Sequence, residues 1–70
     1  MNSYRAIVPL SQGSDAAELS SLRAAVGSVL LAEDGRGRYA QVGAYSGRQG
    51  AEDMVAYLRS QGFDARVIYN

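Results

Sequence analysis

The spacing of apolar and polar positions changes period several times along this chain. Tyr4, Arg5, Ala6, Ile7 and Val8 form a short β-like run that stops near Pro9, within residues 4–10. Residues 11–14, Ser-Gln-Gly-Ser, read as a loop. Asp15 is placed to cap a helix, with Glu18 three residues on as in a capping box. Leu19, Leu22 and Val26 then share one helical face, and Gly27 supplies a left-handed stop. Residues 28–32 return to a strand pattern. Residues 33–37 form a hairpin tip, with Asp34-Gly35 as the turn signal, and the third strand is predicted over 38–45.

Ser46-Gly47-Arg48-Gln49 is a second capping box, of the Ser-x-x-Gln type. It opens a helix whose apolar positions are Ala51, Met54, Val55 and Leu58, at the i, i+3, i+4, i+7 spacing. Gly62 ends that helix, and Phe63 stands where a side chain packs back on the helix end. Ala65, Val67 and Tyr69 alternate with Arg66 and Ile68 in a last strand.

The two halves also repeat. Tyr4 matches Tyr39, Ser11 matches Ser46, Ala16 matches Ala51, Leu19 matches Met54 and Gly27 matches Gly62, each pair 35 residues apart. Two β-α-β units interleave into a four-stranded antiparallel sheet with both helices on one face. The predicted class is therefore α+β, in βαββαβ order, ferredoxin-like and RNP-like, as a single domain over residues 1–70. Strand signals reach both ends without tails, so the chain is expected to be a piece of a longer protein.

Strand alternation then predicts what the helix-free face carries. In the third strand Ala40, Val42 and Ala44 are small and suit the core. That leaves Tyr39, Gln41, Gly43 and Tyr45 on the open face. In the last strand Arg66 and Ile68 face outward. The first strand is ambiguous. The 35-residue offset puts Tyr4, Ala6 and Val8 on the open face, whereas alignment of the Tyr4-Arg5-Ala6 start puts Arg5 and Ile7 there. Aromatic rings suit the C–H faces of sugars, and amides and guanidinium groups suit their hydroxyl and acetamido groups.

Composition removes several function classes. The chain has 70 residues, no cysteine and no histidine, so thiolate and imidazole chemistry are unavailable. Seven arginines balance seven acidic residues, without the basic excess of a nucleic-acid binder. The RNP-like order is not matched by an RNP-like third strand: Arg36-Gly37-Arg38-Tyr39-Ala40 lacks both stacking aromatics. Neither Glu33/Asp34 nor Glu52/Asp53 reads as a buried acid/base couple. No apolar run is long enough to span a membrane. No enzyme activity, cofactor or metal is expected.

The order Tyr39-Ala40-Gln41-Val42-Gly43-Ala44-Tyr45-Ser46, an amphipathic helix, then Gly62-Phe63-Asp64-Ala65-Arg66-Val67 resembles the SPOR (sporulation-related repeat) domain family. The likeness is strongest from Arg38 to Val67. The resemblance implies a non-enzymatic, peptidoglycan-binding module of the bacterial cell envelope or periplasm. It implies a preference for glycan strands denuded of stem peptides, as found at division sites. The family's Gln-x-Gly motif maps onto Gln41 and Gly43, which implies a glycan site of Gln41, Tyr39, Tyr45 and Arg66. The chain departs from the family pattern in its Ile7-Val8-Pro9 first strand, in Ala44 after the motif, and in having no Trp. The alternative is a protein–protein or homodimerisation module using the same face, where Ile68, Val8 and several tyrosines could meet a partner.

Overall fold

In the computed structural model, residues 3–10, 15–35 and 37–69 are described. They form β1 (Tyr4–Pro9), α1 (Asp15–Val26), β2 (Leu30–Asp34), β3 (Gly37–Tyr45), α2 (Arg48–Ser60) and β4 (Arg66–Tyr69). The strands make one antiparallel sheet in the order β2-β3-β1-β4. This is the expected interleaved α+β architecture. The predicted 11–14 loop and the capping side chain of Asp15 lie outside the described residues.

Two boundaries differ from the sequence reading. β2 begins at Leu30 and runs through Asp34, two residues later than predicted. Asp34 pairs with Gly37, so Glu33 and Asp34 belong to the strand rather than to the hairpin tip. Glu33 stands opposite Arg38, a cross-strand pair of opposite charge that favours this register. The second capping box does not form. The α2 N-cap is Gly47, with no side-chain cap. Gln49 instead donates from Nε2 to Asp53 Oδ1 at 2.8 Å, and Arg48 pairs with Glu52 at 2.8 Å. One turn down the helix, each side chain finds a carboxylate partner.

The far end of α2 follows its sequence closely. Gly62 takes φ 95°. Its N–H donates to the Arg59 carbonyl, and the Phe63 N–H donates to that of Leu58, both at 3.0 Å. This pair of bonds satisfies the last carbonyls of the helix and turns Phe63 back onto the core. Arg59 Nε donates to the Ala65 carbonyl at 3.0 Å and fastens the helix end to the start of β4. In α1, Gly27 takes φ 87° at the equivalent stop.

The core lies between the helices and one sheet face. Ala6, Val8, Leu22, Ala40, Val55, Leu58 and Ala65 form it. From α2, Ala51, Val55 and Leu58 are buried, while Met54 packs at the margin. From α1 only Leu22 is buried, with Leu19 and Val26 at its edge. Because Ala6 and Val8 are core residues, alternation turns Arg5, Ile7 and Pro9 to the opposite side. That decides the first-strand register in favour of Arg5 and Ile7, and it removes Val8 from the open face. The 35-residue offset therefore holds at the helix stops but slips by one residue in the strands.

Candidate functional site: the helix-free sheet face

A β-bulge sets the composition of this face. Ala6 pairs with Gly43 but Ile7 pairs with Gln41, so Val42 is an extra residue in β3. Up to Gln41 the alternation runs as the sequence predicts, with Tyr39 and Gln41 on the helix-free side and Ala40 in the core. Beyond Val42 the sides exchange. Ala44 is exposed opposite Arg5, and Tyr45 opposite Tyr4 packs against the core. Tyr45 and Gly43, expected on the open face, are therefore on the helix side. One inserted residue advances a two-residue period by half a cycle, and the sequence carries no mark of it.

Tyr45 fills space left by two glycines. A Cβ on Gly43 would stand 2.8 Å from Tyr45 Cε2, and one on Gly50 of α2 would stand 2.9 Å from Tyr45 Cδ1. The glycine of the Gln-x-Gly motif thus admits an aromatic ring beneath α2.

Three strand pairings place four residues in one row across the helix-free face. Leu30 pairs with Gln41, Gln41 with Ile7, and Ile7 with Arg66. With strands about 4.8 Å apart, Gln41 and Arg66 stand roughly 10 Å apart across Ile7. Arg66 is exposed and pairs with Asp64 at 3.1 Å. A shallow depression beside the row is lined by the apolar Ile7, Pro9, Ile68 and Tyr39 and by the charged Asp34, Arg38 and Arg66. Tyr39 is only 6% exposed, so it floors the depression and offers no free ring for stacking. The structure brings Gln41, Tyr39 and Arg66 together around Ile7.

Sequence reasoning left Arg5 out of the site. Its Nη1 donates to Gln41 Oε1 at 3.1 Å and to the Tyr39 hydroxyl at 3.3 Å. The signal was the Arg5 register that alignment of the first strand gave as one of two options. Only pairing with β3 places the guanidinium beside the amide. The resulting surface is a shallow, mixed one, with an apolar floor and nitrogen donors. Among the described residues no cluster of acidic side chains could hold a metal ion. No described helix is long and apolar enough to cross a membrane.

The described residues form a βαββαβ fold with Arg5, Gln41 and Arg66 gathered on the helix-free face of its sheet. The SPOR domain family model matches residues 34–70, and the chain belongs to that family. The matched segment runs from the β2–β3 hairpin through α2 and β4, and so contains Gln41, Gly43 and Arg66. Comparison with curated proteins and with solved structures gave no match. SPOR domains are peptidoglycan-binding modules of envelope proteins rather than enzymes.

Proposed function

We propose that this domain binds peptidoglycan glycan strands stripped of stem peptides, along the row Arg66, Ile7, Gln41 and Leu30. The observation that carries the reading is the placement of the family's motif amide and the β4 guanidinium in one row, on either side of Ile7, on the face without helices. Half-buried Ile68, beside the buried Ile7, offers apolar surface for sugar C–H groups, and Gln41 and Arg66 offer hydrogen bonds on the two sides of Ile7. An extended strand suits a shallow row better than an enclosed pocket would. On this reading the parent protein works in the periplasm or envelope, at division sites where stem peptides have been removed.

The test is co-sedimentation with purified sacculi, with and without amidase treatment. Binding is expected to rise on amidase treatment. Gln41→Ala should weaken it about two- to twelvefold with the circular dichroism spectrum unchanged, the value of one hydrogen-bonding group. Equal binding to treated and untreated sacculi would sink the reading.

A second reading rests on Leu30 and Leu31, which are 62% and 47% exposed on the edge strand β2. Edge strands with apolar side chains pair readily with other chains. Self-association that buries Leu30, on the helix-free side, would cover its neighbour Gln41, while Leu31, opposite the core residue Ala40, lies on the helix side. Analytical ultracentrifugation separates the two readings: a dimer that dissociates on adding stripped glycan means that both use one surface.

A further inference from the structure

Arg5 fixes which way round the Gln41 amide is held. A guanidinium has only donors, so the amide atom that meets it must be the oxygen. Arg5 Nη1 meets Gln41 Oε1 at 3.1 Å. The amide nitrogen is then the free end, and no described residue accepts a hydrogen bond from it. The same Nη1 lies 3.3 Å from the Tyr39 hydroxyl oxygen, which accepts there and turns its own proton elsewhere. Arg66 adds a second guanidinium one strand beyond Ile7. Arg66 Nη2 is engaged by Asp64 at 3.1 Å, so the donor that the row holds ready for a ligand is the Gln41 N–H.

We infer that the site selects N-acetylated glycan over de-N-acetylated glycan, with Arg5 as the positioning residue for that choice. The inference rests on the glycan reading above and refines it. An acetamido group offers a carbonyl oxygen to the Gln41 N–H. Loss of the acetyl group removes that acceptor and leaves an amine, which on protonation has donors only. Such a group leaves the Gln41 N–H without an acceptor. Loss of the acceptor forfeits that hydrogen bond and leaves the part-buried Gln41 N–H unpartnered beneath the bound strand, which separates the two glycans.

The experiment uses amidase-stripped sacculi, half of them treated further with a peptidoglycan N-deacetylase, at mildly acidic pH. Wild type should bind the N-acetylated strands at least about fivefold more tightly. Gln41→Glu keeps an oxygen toward Arg5 and replaces the outward donor with a second acceptor. It should reverse the preference toward the amine-bearing strands. Arg5→Met frees the amide to turn either way and should narrow the wild-type ratio toward one. Where Arg5→Met fails to fold, Gln41→Glu decides alone, since its carboxylate retains the Arg5 partner. Equal binding of both strands by wild type overturns the inference while leaving the glycan reading intact. So does a Gln41→Glu variant with the wild-type preference. If wild type binds neither strand, the glycan reading falls and this inference with it.

Discussion

The ring of Tyr45 occupies the space where a side chain on Gly43 would stand, 2.8 Å from its Cε2. The contact joins β3 to the underside of α2, because Gly50 meets the same ring. Gly43→Ala must displace the ring or the strand. It should destabilise the domain by about 1–3 kcal/mol, the usual cost of overpacking. Thermal unfolding checks this, since about 1 kcal/mol moves the midpoint of a domain this small by about 4–8 °C. An unchanged midpoint would show that the ring has somewhere else to go.

Leu58 is fully buried in the core cluster with the strand residues Ala6, Val8 and Ala40. Leu58→Ala should cost about 2–5 kcal/mol. Domains of this size hold only about 5 kcal/mol or little more in reserve. The variant is expected to lose most of its cooperative unfolding transition in urea. Arg48→Ala, which removes only an exposed pair with Glu52, should shift that transition by about 0.5 kcal/mol at most.

The two glycines flanking α2 should respond in opposite directions. Gly62 holds φ 95°, which a Cβ disfavours, so Gly62→Ala should cost about 1–2 kcal/mol. Gly47 has φ −114° and ψ 147°, a normal N-cap conformation, with open space at its Cβ position. Gly47→Ser supplies the missing capping oxygen and should add a few tenths of a kcal/mol. Denaturant midpoints of the two variants on either side of wild type are the expected result.

Arg66 is exposed, and its pair with Asp64 is a surface one. Arg66→Ala should leave stability unchanged and weaken binding to stripped sacculi about two- to twelvefold. Amidase removal of stem peptides leaves lactyl carboxylates on the strand, so wild-type binding should fall as salt is raised. Arg66→Ala should flatten that dependence, because the screened charge is gone. A salt profile identical to wild type would place Arg66 outside the contact.

The amino-acid sequence by itself determined the order of elements, the glycine stops and most of the core. These are local matters. The stop at Gly62 needs only a residue that tolerates positive φ, and the α2 core face needs only helical spacing of Ala51, Val55 and Leu58. Gln41, Tyr39 and Arg66 were legible on the open face because they precede or avoid the bulge. The bulge at Val42 was not legible. Whether an extra residue is accommodated depends on the partner strand, and β1 lies more than thirty residues away in the chain. That single irregularity turned Tyr45 to the helix side, where it packs against the core. The burial of Tyr39 was likewise decided by neighbours from other strands. Gln49 is drawn to Asp53, a charged acceptor one turn away, and Ser46 stands one residue before the N-cap Gly47. Arg5 joined the site only through antiparallel pairing of β1 with β3, which puts its guanidinium beside an amide 36 residues distant. Tertiary structure decided these points because each depends on a contact between segments that sequence spacing alone does not bring together.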